Sequence, residues 1–149
     1  MPAPLDAFAI AAPGLSDLLA AELTELGITP AEVSPAGVAF SGDLATLYRA
    51  NLQSRIASRV VVRVAAFEAA HFSTLEKCLR AVEWSRWIAP ARQLSWRVTC
   101  RKSRLYHSGA VAERLQEAIN RQVAAVGAPA PVDEEDDEGR QLLVVRIDH

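Results

Sequence analysis

No two glycines in this sequence stand closer than five positions: Gly14, Gly27, Gly37, Gly42, Gly109, Gly127 and Gly139 are scattered singly along the chain. A Gly-x-Gly loop, which lets backbone approach a nucleotide or a dinucleotide-type cofactor, is therefore missing. There is no Gly-x-Ser-x-Gly elbow either, and the one His-Ser neighbour pair, His107-Ser108, would point its side chains in different directions in strand or helix. Nucleophilic catalysis is not expected. Cysteine is equally sparse: Cys78 and Cys100 are too far apart for a Cys-x-x-Cys clip and too few for a disulfide framework. Both are expected to be buried thiols. The three histidines, His71, His107 and His149, show no metal-site spacing, so no metal is implied. Every apolar stretch is broken by Arg, Glu or Asp well before the ~20 residues that a membrane-spanning helix needs. The opening Met1-Pro2-Ala3-Pro4-Leu5-Asp6 lacks the basic and then apolar regions of a secretory signal. A cytoplasmic chain with no membrane role and no catalytic residues of its own is expected.

What is present is enough apolar material for a folded body. Half of the 149 residues are hydrophobic, which suits one ordinary core or two small subdomains. The formal charge of −2 is unevenly placed. Asp133, Glu134, Glu135, Asp136, Asp137 and Glu138 form one unbroken acidic run, and setting these six carboxylates aside leaves +4 for the rest. Blocks of like charge are ordinarily solvated, so the run reads as a loop rather than a metal or acid–base site. The remaining body is mildly basic.

Along the chain, residues 5–11 form a short apolar run ended by Pro13-Gly14, as a strand meeting a turn. Leu15, Leu18, Leu19, Leu23 and Leu26 recur at helical steps, with Gly27 placed for the left-handed conformation that closes a helix. Val33 and Val38-Ala39-Phe40, separated by Ser34-Pro35-Ala36-Gly37, predict a hairpin. Asp43 caps a helix through Leu44, Leu47, Tyr48 and Leu52 that ends near Ser54. Residues 59–67 are rich in valine, as a central strand buried on both faces should be. This order, β-α-β-β-α-β, is the ferredoxin-like arrangement.

A second unit follows. Ser73-Thr74-Leu75-Glu76 has the form of a capping box before a helix with Leu75, Leu79 and Val82 on one side. Residues 93–101 alternate between a core face (Leu94, Trp96, Val98, Cys100) and a polar face (Gln93, Ser95, Arg97, Thr99, Arg101). Ser108 precedes a helix with Val111, Leu115, Ile119, Val123 and Val126 in line, stopped by Gly127 and Pro129. Residues 141–147 predict a last strand in an inner position of a sheet.

The densest polar chemistry lies between the alternating strand and the helix after it. Residues 97–109 carry Arg97, Arg101, Lys102 and Arg104, two ring side chains, Tyr106 and His107, and a helix start at Ser108-Gly109. Cations neutralise phosphates, rings stack on unpaired bases, and free amides at a helix start favour an anion. Spacing alone leaves a second reading open, a solvated basic loop with Tyr106 anchoring it to the core. A second series, Arg49, Arg55, Arg59 and Arg63, reads as partly structural, pairing with carboxylates or helix carbonyls.

The string from Cys100 through Arg101-Lys102-Ser103-Arg104-Leu105-Tyr106-His107-Ser108-Gly109 to Leu115 closely resembles the THUMP segment of RNA guanine-N2 methyltransferases, the large-subunit rRNA enzymes and their tRNA-modifying relatives. The stretch Gly42-Asp43-Leu44, with Tyr48 to Leu52 and Ser54 to Val60, looks like the same family's upstream block. With the Pro13-Gly14-Leu15 opening, the similarity covers nearly the whole chain. It implies an α+β chain: an N-terminal ferredoxin-like domain over residues 1–70, then an α/β THUMP core over 71–149, the family's THUMP boundary lying as early as residue 43. It further implies an RNA-binding module, rRNA or tRNA, serving a Rossmann-type methyltransferase domain of the same polypeptide that binds S-adenosylmethionine. No cofactor is implied for these residues themselves. Family catalytic domains carry an Asn- or Asp-Pro-Pro motif, and no proline here follows Asn or Asp. The expected RNA contacts are Arg97, Arg101, Lys102, Arg104, Tyr106, His107 and Ser108. The alternative is a scaffold that docks the catalytic domain with little RNA affinity. The acidic run departs from the family pattern.

Overall fold

The computed structural model describes residues 3–100, 108–123, 130–131 and 140–147, without the side chains of residues 100, 108, 130 and 131. It divides the chain into two compact units, Met1–Ala66 and Phe67–His149.

The first unit runs β1 (Leu5–Ile10), α1 (Ser16–Glu25), β2 (Pro30–Ser34), β3 (Gly37–Gly42), α2 (Leu44–Gln53) and β4 (Arg59–Val62). Its strands pair antiparallel in the order β2-β3-β1-β4, the ferredoxin-like topology that the element order predicted. Alternation along β1 sends Ala7, Ala9 and Ala11 into the core. Leu19 and Leu23 of α1, Val38 and Phe40 of β3, Ile28 and Ala50 complete the buried cluster. Burying each leucine contributes about 2 kcal/mol.

Two local devices set the ends of the helices. Gly27, at φ +72°, closes α1 by donating its N–H to the Thr24 carbonyl, while the Ile28 N–H reaches the Leu23 carbonyl at 2.8 Å. Buried Leu23 and Ile28 flank this closure, as the motif favours. Asp43 opens α2: its carboxylate accepts from both the backbone N–H and the hydroxyl of Thr46, each at 2.8 Å. Those two bonds hold the Asp43 carboxyl below its usual pKa.

One expectation for this unit needs correction, and the structure settles two helix faces that the spacing had left open. The helical pattern of α2 was right, but its large apolar residues do not form the buried face: Leu44, Tyr48 and Leu52 are 57%, 61% and 83% exposed, and Ala50 with half-buried Leu47 packs inward. Likewise Leu19 and Leu23, not Leu15 and Leu18, carry the inner face of α1. The valine-rich segment is an edge strand of four residues, not a central one reaching residue 67. Its only ladder partner among the described residues is β1, met at Ala7↔Val62. One more bond, from the Arg63 N–H to the Asp6 carbonyl, brings the pairing almost to the start of β1 at Leu5, where the partner runs out.

The connection from α2 to β4 is held by a buried side chain. Glu22, on the inner side of α1, accepts from the Ser54 hydroxyl at 2.6 Å and the Arg55 and Ile56 backbone N–H groups at 2.9 and 3.3 Å. The Arg55 guanidinium lies 3.5 Å away. Burial alone would raise the carboxyl pKa, but these donors together outweigh it and lower the value. A carboxylate whose pKa is lowered by folding stabilises the fold above the ordinary glutamate value, and the contribution fades as pH falls toward the lowered one. Glu22→Gln is expected to cost about 1–3 kcal/mol at neutral pH, because a carboxamide N–H would face backbone donors. Urea unfolding of both proteins as a function of pH checks this: the gap should narrow steadily on acidification, and a gap independent of pH would refute the assignment.

The second unit contains α3 (Phe72–Ala81), a 3-10 turn (Trp84–Arg86), β5 (Leu94–Cys100), α4 (Ser108–Asn120), β6 (Ala130–Pro131) and β7 (Gln141–Ile147). Its strands are parallel, in the order β6-β5-β7. Leu75 and Leu79 of α3, Val111, Leu115, Ala118 and Ile119 of α4, and Trp84, Ile88, Leu94 and Trp96 are buried. Gln122 ties the end of α3 to the end of α4: its amide donates to the Val82 carbonyl at 2.7 Å and accepts from the Trp84 N–H at 2.8 Å. The buried Trp84 indole donates to the Leu79 carbonyl at 2.8 Å.

Here too the structure revises several expectations. Ser73 lies inside α3 and makes no capping box. His71 is the cap residue, without a side-chain bond, and Glu76 is drawn away to Arg80 at 3.7 Å and Arg114 at 3.2 Å. The polar face of β5 is not exposed along its whole length, since Ser95 is 2% exposed. β7 spans the predicted residues but pairs only with β5 among the described ones, at the margin of the sheet rather than inside it. Cys78 is a free, half-buried thiol, not a buried one. Cys100's side chain, Val126, Gly127, Pro129 and the acidic run 133–138 lie outside the described residues. Among the described residues no helix is long and apolar enough to cross a membrane.

Candidate nucleic-acid interface

Strand β5 delivers the first member of the basic segment. Leu94 and Trp96 are buried on one face, and alternation turns Arg97 to the other, where it is exposed. In the ladder Arg97 stands beside Val144 and Thr99 beside Arg146, so these four share a face with Ser95 and Leu142. That face opens toward the C-terminal ends of the strands: Ser95 is buried, Thr99 and Leu142 half-buried, and Arg97, Val144 and Arg146 exposed. None of these six residues is a carboxylate.

The chain leaves β5 at Cys100 and, in sequence, runs through Arg101, Lys102, Arg104, Tyr106 and His107. Those five residues, and the side chain of Ser108, lie outside the described residues. The structure therefore places Arg97 at the surface and puts the Ser108 backbone at the first residue of α4, one position later than a preceding cap. Gly109, exposed in the same turn, has open space where a side chain would begin.

Other cations of this unit are engaged within the fold. The Arg114 guanidinium sits 4.4 Å from the centre of the Phe72 ring and pairs with Glu76. Arg121 bonds Glu117 at 2.7 Å one helical turn away, and that bond holds the Glu117 carboxyl below its usual pKa. In the first unit Arg49 donates to the Leu26 carbonyl at the end of α1 and Arg55 pairs with Glu22, the structural roles that their series suggested. Arg146 was missed in the sequence. The alternation of residues 141–147 carried the signal, because it puts 142, 144 and 146 together on one face.

An antiparallel β2-β3-β1-β4 sheet crossed by two helices makes the first unit a ferredoxin-like domain. Residues 6–61 match the family model described as the RlmL ferredoxin-like domain. The chain is 38% identical over 119 residues to the ribosomal RNA large subunit methyltransferase K/L of Syntrophotalea carbinolica, covering 80% of this chain and 17% of that protein. Among solved structures it resembles one titled a predicted N6-adenine-specific DNA methylase from Listeria monocytogenes: TM-score 0.79, 27% identity, 97% of this chain and 38% of that one. The fold is also that of TrmN from Thermus thermophilus, with TM-score 0.67, 23% identity, and coverage of 95% and 42%. The chain spans less than a third of the length of the curated relatives it matches first.

Proposed function

We propose that this chain captures structured RNA and presents a guanosine to a methyltransferase domain of the same polypeptide, with the second unit acting as a THUMP module. The observation that carries the reading is Arg97, exposed on β5 just before the strand runs into Arg101-Lys102-Ser103-Arg104 and then α4. The similarity to an rRNA methyltransferase, at higher identity than to the protein titled a DNA methylase, favours RNA as the partner. S-Adenosylmethionine, the methyl donor that this reading implies, would belong to that other domain. The described residues do not fit it, because Gly14, Gly27 and Gly37 serve separately a strand–helix turn, a helix end and a hairpin.

Anisotropy titrations of a labelled RNA stem–loop, repeated from ~50 to ~200 mM salt, test the reading. Four or more phosphate contacts should cost roughly 100-fold in affinity over that range. No binding at the lowest salt, or binding without a salt slope, would refute it.

A second reading, a docking scaffold for the catalytic domain, is favoured by the exposed stripe of Leu44, Tyr48 and Leu52 at successive turns of α2. It predicts RNA affinity indifferent to the charges of the basic segment.

A further inference from the structure

We infer that the RNA-binding surface extends across β5 onto β7, with Arg146 as a second backbone contact beside Arg97. The inference rests on the RNA reading above and adds a residue far from the basic segment in sequence.

Three observations converge on it. The parallel register sets Arg97 against Val144 and Thr99 against Arg146, making the two arginines diagonal neighbours roughly 8 Å apart at Cα. Both are exposed, and the shared face bears no carboxylate among Ser95, Arg97, Thr99, Leu142, Val144 and Arg146. Val144, 51% exposed between them, offers an apolar seat for a ribose or base edge, with the half-buried Thr99 beside it. Two fixed positive charges, with no carboxylate among the six described residues of the face, fit a polyanion, and guanidinium groups engage phosphate oxygens two at a time. Arg146 also interacts within the chain, and the inference draws on its exposure and charge rather than on its being idle. The strip leads toward the end of β5, after which the sequence continues into Arg101-Lys102-Ser103-Arg104.

The test is the same stem–loop titration on the 149-residue chain with Arg146→Glu. Arg92→Glu serves as control, an exposed arginine before the opposite end of β5. Arg146→Glu should weaken binding about tenfold and reduce the slope of log affinity against log salt by about 1, while the control stays within about twofold. Arg146→Lys should recover most of the affinity. If Arg146→Glu disturbs the thermal melt, Arg146→Gln replaces it, with the same loss of slope and a smaller loss of affinity. Arg146 variants that match the control while Arg101→Glu loses binding would overturn the extension and leave the RNA reading standing. Retention of binding by Arg101→Glu as well would remove the RNA reading itself.

Discussion

Reversing both charges in Arg101→Glu/Arg104→Glu is expected to lower the affinity for structured RNA by about 100-fold or more at ~50 mM salt. Each reversal removes a cation that would neutralise a phosphate and installs a charge that repels one, worth roughly tenfold per site. The salt slope should fall by about 2, one for each lost contact. That slope distinguishes electrostatic loss from damage to the fold, since a partly unfolded protein loses active fraction without changing the slope of what remains. The unit's other charges give a built-in comparison. Arg121 bonds Glu117 at 2.7 Å, so Arg121→Ala should leave RNA affinity within about twofold. Should the double reversal bind as tightly as the parent, the docking reading of α2's exposed stripe becomes the better account.

The largest effect on stability is expected from Gly37→Ala. Gly37 begins β3 at φ +147°, where side chains are rarely accommodated, and a Cβ there would lie 2.0 Å from the carbonyl oxygen of Ala9. Ala9 is wholly buried near the end of β1 and has no room to retreat. Strain and overlap together should cost about 3 kcal/mol or more, a large share of what a small domain possesses. Gly14→Ala isolates the two contributions: its φ of +84° brings strain, but nothing lies within 4 Å of the added carbon. It should cost only about 1 kcal/mol. All three tryptophans, Trp84, Trp87 and Trp96, belong to the second unit, so none reports directly on the first. Hydrogen exchange at the β1 and β3 amides is the proper measurement. Equal protection in the two variants would show that the hairpin yields where the geometry says it cannot.

Much of this fold was legible because its punctuation is local. Gly27 after the leucines, Asp43 before Leu44, and the Ser34–Gly37 corner each state a backbone conformation that no distant residue must confirm. What the spacing left open was the choice of helix faces, and what failed was the assignment of strand partners. Leu44, Tyr48 and Leu52 have helical spacing, yet periodicity does not say which side of a helix meets a sheet, and Ala50 takes that side. The valines of β4 suggest burial on both faces, but a strand's place in a sheet depends on which neighbours remain unpaired. Glu22 was overlooked because a carboxylate between Leu19 and Leu23 reads as solvated until the amides of a loop thirty residues later are seen to need it. Of the candidate site, Arg97 was legible through strict alternation. Alternation put Arg146 on one face with Leu142 and Val144, but only the register between β5 and β7 brings it alongside Arg97.

The sheet of the second unit also governs when that unit is finished. Among the described residues β5 pairs with β6 at two positions and with β7 at seven, from Leu94↔Gln141 to Cys100↔Ile147. A chain emerging from the ribosome can close its first unit once β4 is out. It must then hold β5, with Trp96 and Leu94, short of its main neighbour until residues 141–147 appear. The unit proposed to grip RNA is thus the later of the two to acquire its shape, and the waiting strand is the segment most in need of shelter during synthesis.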